Sequence, residues 1–337
     1  MRKRVVLYRA VPEDVLDELR AHFDVTVFEH VNESNRALFV HALRTAHGMM
    51  GNTLKITAEL LDAAPSLEAA STISAGYDAF DVDELTRRGV VLTNTPDEVT
   101  ETTADLVFAL LLASARRVVE LANWARDGGW LGTVAERYFG TDVHGRTLGI
   151  VGLGRIGNAV ARRAAHGFNM RVLYTNRQPN PHAESAYGAK RRVLEALLMQ
   201  SDFVCTMVPL SPETHHLIGE RELALMKPDA ILINASRGSV VDEAALIVAL
   251  QAGRIRGAGL DVFKHEPLPV SSPLYALPNV VALPHVGSAT RTTREAMARR
   301  AARNLIATLQ GQPVAATVNP EAIGACRKSN LFSDSSR

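Results

Sequence analysis

Residues 147–167 constrain the fold more than any other stretch. They read T-L-G-I-V-G-L-G-R-I-G-N-A-V-A-R-R-A-A-H-G: an apolar strand, three glycines spaced G-x-G-x-x-G, and a helix-forming run. A second apolar strand, 171–174, follows within about 30 residues of the start. Strand, glycine turn, helix and strand make a βαβ unit, which implies a parallel sheet. Each glycine has its own physical reason. Gly152 permits the tight turn, Gly154 lets backbone approach a pyrophosphate, and Gly157 lets helix pack on strand. The helix start adds unpaired N–H groups and the positive end of its dipole. In this setting the motif reads as a dinucleotide-binding fingerprint.

The same alternation extends in both directions. Upstream, 5–8, 25–28, 47–50, 67–74 and 90–93 read as strands, and 12–22 and 58–63 as helices, with Val15, Leu16, Leu19 and Phe23 on one helical face. Downstream, 203–207, 230–233, 257–262 and 280–283 read as strands, and 156–167, 194–200, 243–251 and 291–310 as helices. Residues 102–119 are rich in Ala and Leu and apolar on most faces, which predicts one long buried helix. Residues 127–144, with several glycines, read as irregular. At 337 residues the chain exceeds what a single core serves, so the expectation is an α/β protein of two domains with parallel sheets.

Composition narrows the function classes. Lys plus Arg is 37 and Asp plus Glu is 36, so the charge balance gives no reason to expect nucleic acid or an anionic membrane as partner. Aromatic residues are 5%, which argues against a stacking platform for single strands. The apolar run after M-R-K-R is too short for a signal peptide, and no stretch reaches the ~20 apolar residues that span a bilayer. The two cysteines, Cys205 and Cys326, form neither a disulfide framework nor a metal site alone. The expectation is a cytoplasmic protein without metal.

The end of the second strand sets the cofactor preference. An NAD site places Asp or Glu there to accept from the ribose 2′-OH. This chain has Thr175, Asn176 and Arg177, and no carboxylate before Glu184. Arg177 can grip a 2′-phosphate while Thr175 and Asn176 hydrogen-bond it, which favours NADPH, with NADH still possible.

Three further segments place polar residues just beyond a strand, where ligands of open α/β sheets bind. They supply Arg237, then Asp261 and Glu266, then His285. Reduction of a 2-keto acid needs a carboxylate clamp and a proton donor. A guanidinium suits the clamp and an imidazole, titrating near neutrality, suits the donor. Glu266 can accept the other ring N–H of His285 and fix its tautomer, and Asp261 can bond a nicotinamide amide or orient Arg237. Taken singly, each residue is more often a solvated loop residue. His144, His166, His182, His215 and His216 lack such a context and read as structural or exposed.

Together the fingerprint, N-A-S-R-G-S-V-V-D-E-A-A-L, G-L-D-V-F-x-x-E-P-L and L-P-H-V-G-S-A-T resemble the D-isomer-specific 2-hydroxyacid dehydrogenase family over nearly the whole chain. Within it, S-T-I-S-A-G-Y-D-A-F-D-V-D and Y-F-G-T-D-V-H-G-R-T-L-G-I-V-G are most similar to the glyoxylate/hydroxypyruvate reductase B group, also called 2-ketogluconate reductases. The resemblance implies a dinucleotide-binding Rossmann domain, 101–285, inserted in a flavodoxin-like substrate domain, 1–100 and 286–325, with a polar tail, 326–337. It implies a homodimer, reduction of a small 2-keto acid, His285 as proton donor, Glu266 as its partner and Arg237 as carboxylate clamp. Substrate contacts are expected from Ser74, Ala75 and Gly76, where N–H groups form an anion nest, with Arg237 and His285. Cofactor contacts are expected from Gly152, Gly154, Arg155, Ile156, Gly157, Thr175, Asn176, Arg177, Val208, Pro209, Thr214, Ala235, Asp261, His285 and Gly287. Two alternatives stay open at this point: an NAD-linked phosphoglycerate, phosphite or formate dehydrogenase, and a dinucleotide-sensing corepressor-like binding protein.

Overall fold

The computed structural model describes residues 2–323, so Cys326 and the segment 326–337 lie outside the described residues. The chain divides into two compact units. The first is Met1–Val99 with Thr290–Arg337, of which 2–99 and 290–323 are described, and the second is Thr100–Ala289.

The first unit begins β1 (Arg4–Leu7), α1 (Glu13–His22), β2 (Asp24–Val27), α2 (Arg36–Leu43), β3 (Gly48–Gly51), α3 (Ala58–Asp62), β4 (Ala69–Thr72), α4 (Val82–Arg87), β5 (Val91–Thr93). Its strands form one parallel sheet in the order β2-β1-β3-β4-β5, the flavodoxin-like order. Strands β3 and β4 are buried at every position, as a parallel sheet covered on both faces requires. Small residues serve close helix packing: a Cβ on Gly48 would lie 2.8 Å from a Leu309 methyl group.

The second unit contains α5 (Thr100–Ala115), α6 (Val118–Arg126), β6 (Thr147–Val151), α7 (Arg155–Phe168), β7 (Arg171–Thr175), α8 (Pro181–Tyr187), β8 (Lys190–Arg191), α9 (Leu194–Gln200), β9 (Phe203–Thr206), α10 (Glu220–Leu225), β10 (Ile231–Asn234), α11 (Glu243–Gln251), β11 (Gly257–Leu260) and β12 (Val280–Ala282). Helix α12 (Arg291–Leu309) then returns to the first unit. The second sheet is parallel, ordered β12-β11-β10-β9-β6-β7-β8. That is the doubly wound dinucleotide-binding order with one added strand, and its direction reverses between β6 and β9. Ile150, Tyr174, Cys205 and Ile233 pack under α5 and α7 on one face, while Val151, Leu173, Val204 and Leu232 meet α9 to α11 on the other. Among the described residues no helix is long and apolar enough to cross a membrane.

Two expectations change. The single helix over 102–119 is two helices, because Arg117 takes a left-handed φ of +53°. The Ala115 carbonyl there accepts from Thr141 N–H at 2.8 Å, and Gly140 packs so close that a Cβ would lie 2.5 Å from that oxygen. A segment far along the chain thus takes the carbonyl that would continue the ladder. The return to the first unit falls at 289/290, not at 285/286. Val286 and Gly287 donate their N–H groups to Asp261, at 2.7 and 2.9 Å, which fastens them to the second unit. Helices α4, α8 and α10, of 6, 7 and 6 residues, are too short to show a period in sequence.

Candidate active site

The glycine turn leaves β6 at Val151. Gly152 has φ +99°, and a Cβ there would lie 2.7 Å from a Val208 methyl group and 2.8 Å from the Met207 carbonyl. A Cβ on Gly157 would lie 2.4 Å from the Gly152 carbonyl oxygen. Gly154, the N-cap of α7, is the opposite case: a Cβ would meet no heavy atom within 4 Å. The turn is tight on its protein side and clear in front of a 14-residue helix, which fits a pyrophosphate held by the helix N-terminus. Arg155 and Ile156 open that helix, Arg155 exposed and Ile156 packed on the core.

The end of β7 lies beside this turn. The Thr175 carbonyl accepts from Gly152 N–H at 3.1 Å. Asn176 Oδ1 accepts from Leu153 N–H at 2.6 Å, so this side chain braces the glycine turn. Arg177 is exposed. Glu184, the first carboxylate after the strand, accepts from the Tyr174 hydroxyl at 2.6 Å and so ties α8 to β7. In the facing loop after β9, Glu213 is held below the usual carboxylate range by the Ser211 hydroxyl, its own backbone N–H and the Arg177 charge. Thr214 closes that loop, donating to the Pro209 carbonyl at 2.6 Å and accepting from Ser211 N–H at 2.8 Å, while Val208 packs against Gly152.

Strand β10 ends at Asn234, buried, with Ala235 and Ser236 next. Asn234 Oδ1 accepts from the Thr206 hydroxyl at 2.9 Å and from Ser236 N–H at 3.1 Å, while its Nδ2 donates to the Arg237 carbonyl at 3.0 Å. Arg237 Nη1 donates to the Ser236 carbonyl at 2.7 Å. Gly238 explains the corner, since a Cβ there would lie 1.9 Å from the Phe263 carbonyl carbon. The backbone carrying Arg237 therefore lies directly against the segment that carries Glu266.

Glu266 and His285 form a pair. His285 Nδ1 lies 2.6 Å from Glu266 Oε2, and Phe263 N–H donates to Glu266 Oε1 at 3.0 Å. Burial would raise the Glu266 pKa, but the His285 hydrogen bond, the Phe263 N–H and the charges of His285 and Arg237 hold it below the usual carboxylate range. Glu266 is thus an ionised acceptor that leaves Nε2 of the ring as the outward-facing nitrogen. His285 takes a left-handed φ of +53°, uncommon for a non-glycine residue, and the next two residues explain how that backbone is held. Asp261, 1% exposed, accepts from both Val286 and Gly287 N–H groups, and Thr103 donates to the Gly287 carbonyl at 3.2 Å. Burial dominates at Asp261 and pushes its pKa up, against the pull of the two N–H groups and His285. Its two oxygens thus hold the His285 loop, one on each N–H.

In the first unit, the turn after β4 carries Ser74, Ala75 and Gly76. Their carbonyls accept from Thr95 N–H at 3.0 Å, Asn94 Nδ2 at 2.7 Å and the Ser74 hydroxyl at 2.5 Å. The N–H groups of all three meet no acceptor among the described residues.

Arg237, Glu266 and His285 are thus gathered at the carboxyl edge of one sheet, as guanidinium, carboxylate and imidazole. Among the described residues no cluster of three His, Cys, Asp or Glu side chains could hold a metal ion. Burial pushes the Cys205 thiol up to about 12, so it remains a protonated core residue. Sequence reasoning missed Thr206, Asn234, Ser236 and Thr103. The available signal was Asn234, an amide at the last position of an otherwise apolar strand.

Residues 108–287 match the family model described as D-isomer specific 2-hydroxyacid dehydrogenase, NAD binding domain. The chain is 52% identical over 323 residues to a glyoxylate/hydroxypyruvate reductase B of Yersinia enterocolitica, covering 96% of this chain and 99% of that one. It is 51% identical to one of Citrobacter koseri, covering 96% and 100%. A crystal structure of the NADPH-dependent glyoxylate/hydroxypyruvate reductase of Sinorhizobium meliloti, in complex with NADP and malonate, is similar with a TM-score of 0.82 at 35% identity, covering 96% of this chain and 98% of that one. The chain belongs to the D-isomer specific 2-hydroxyacid dehydrogenase family and is an oxidoreductase.

Proposed function

We propose that the protein uses NADPH to reduce small 2-keto acids, glyoxylate and hydroxypyruvate foremost and 2-ketogluconate besides, to D-2-hydroxy acids. The observation that carries this reading is the His285–Glu266 pair at 2.6 Å, on the same sheet edge as Arg237. The names of the curated relatives and the missing carboxylate at 175–177 support the substrate class and the cofactor.

When bound, the cofactor supplies a hydride to C2 of the keto acid. Arg237 pairs with the substrate carboxylate in the planar two-point geometry that a guanidinium offers. His285, with Nδ1–H directed to Glu266, gives its Nε2 proton to the C2 oxygen as negative charge develops there. Glu266 keeps its charge through this step and steadies the imidazolium before transfer. Asp261 orients His285 by holding Val286 and Gly287. The uncommitted N–H groups of 74–76 add neutral donors for a carboxylate.

This reading places the enzyme in the cytoplasm, in keeping with the free buried thiol of Cys205. It also assigns a homodimer. Val118 and Val119 on α6 and Trp130, Leu131, Val134 and Phe139 beyond it are exposed apolar residues of one stretch, suited to a second copy.

The test is a steady-state panel of kcat/KM for glyoxylate, hydroxypyruvate and 2-ketogluconate with NADPH and with NADH. The reading expects turnover of these acids and a preference for NADPH. Equal use of both cofactors, or no turnover of any of the three, overturns it.

A further inference from the structure

We propose that Arg191 is a second guanidinium of the 2′-phosphate subsite and fixes the loop on which Arg177 stands. The inference rests on the NADPH reading above and names a residue that the motif does not contain.

Arg191 ends the two-residue edge strand β8, opposite Tyr174 in register. Its Nη2 donates to the carbonyls of Asn176 at 2.9 Å and of Arg177 at 2.8 Å. One Nη nitrogen carries two hydrogens, so both are used there. Among the described residues the Nε–H and the two Nη1–H donors meet no acceptor and Arg191 makes no ion pair. The loop is thus braced on both flanks, by Leu153 N–H on Asn176 and by Arg191 on the next two carbonyls.

Charge bookkeeping points the same way. Residues 176 and 177 occupy the place where an NAD site presents a carboxylate to the ribose hydroxyls. Here two guanidinium groups flank that place, and the nearby carboxylates have other partners: Glu184 takes the Tyr174 hydroxyl and Glu213 the Ser211 hydroxyl. A guanidinium held by two carbonyls, with spare N–H donors and the exposed Arg177 beside it, matches a phosphate dianion and offers a bare 2′-hydroxyl no acceptor. Because the guanidinium is already immobilised by two carbonyls, little side-chain freedom is lost when the phosphate arrives.

The experiment uses the full chain and two probes, adenosine 2′,5′-bisphosphate and adenosine 5′-monophosphate, with Kd measured by calorimetry. Arg191→Gln is expected to weaken the bisphosphate about 30-fold and the monophosphate less than about threefold, as loss of a charge-assisted contact implies. The kcat/KM ratio of NADPH over NADH falls in parallel. Arg191→Lys, which keeps the charge but cannot span two carbonyls, falls between the two. Circular dichroism and Tm confirm that each variant is folded. Equal weakening of both probes would reduce Arg191 to a loop brace and overturn the proposal, as would no change in either. If the unsubstituted chain binds both probes equally, the NADPH reading fails and the proposal with it. If it prefers the bisphosphate and Arg191→Gln retains that preference, only the proposal fails.

Discussion

The carboxyl edges of the two sheets carry different kinds of polar group. In the first unit the turn 74–76 presents backbone N–H groups and carries no charged side chain. In the second, Arg237, Glu266, His285 and Asp261 put charge and titratable groups on one edge. The turn 74–76 can recognise shape and hydrogen bonding and brings no titratable side chain, whereas the second edge brings both. A finer contrast lies within the second edge. Burial acts upward on both Glu266 and Asp261, yet only Asp261 rises. Glu266 has an imidazole in hydrogen-bond contact and a guanidinium nearby, and those outweigh desolvation. Asp261 has mainly neutral N–H donors, and they do not.

The contrast can be tested by substitution. The largest effect is expected for His285→Ala, which should lower kcat by about 1,000-fold with little change in KM, within the usual span for a lost general acid. Arg237→Ala should lower kcat/KM by a similar factor while raising KM strongly. If His285→Ala kept a near-normal kcat, the second edge would not hold the proton donor.

Glu266→Gln should lower kcat by about 100-fold in steady-state assays. It also has a stability signature. The Glu266 pKa is lower folded than unfolded, so its contribution is present above the ordinary glutamate range and is lost as pH falls through the folded value. Acid unfolding of Glu266→Gln, followed by circular dichroism, should therefore be less steep on that limb. Asp261 has the opposite sign: its raised pKa means stability is lost as pH rises from the unfolded value through the folded one.

Arg177→Asp should cut the NADPH-to-NADH ratio of kcat/KM by at least about 10-fold, since a carboxylate would repel the phosphate. Asp261→Asn removes one of two acceptors for Val286 and Gly287 and should cost about 1–3 kcal/mol in denaturant unfolding. The smallest effect belongs to the first edge: Ser74→Ala should raise the substrate KM by about fivefold or less, with the pH profile of kcat/KM unmoved. A shifted profile in that variant would erase the distinction between the two edges.

What was legible in sequence was what local chemistry dictates. The three glycines, the apolar strands and the polar residues directly after them all follow from neighbours in the chain. Arg237, Glu266 and His285 were readable for that reason, each standing just past a strand. What stayed hidden depends on contacts between distant positions. Thr141 takes the Ala115 carbonyl and ends α5, Leu153 takes the amide of Asn176, and Arg191 reaches back 14 residues to Arg177. No periodicity encodes such meetings. Asn176 is the instructive case: its amide oxygen braces the glycine turn 23 residues back, which its place after the strand does not announce.

The position of α12 has a consequence for how the chain comes to be folded at all. This helix covers the first sheet, where Ser71 donates to the Ala301 carbonyl at 2.8 Å and Asn304 to that of Asn94 at 3.0 Å. It leaves the ribosome only after the whole of Thr100–Ala289. The second unit is continuous and can fold as it emerges, while β3 and β4 wait for a cover made more than 200 residues later. A chain truncated before Thr290 should keep its glycine turn and lose its first sheet to aggregation, which makes α12 the element that completes the first unit.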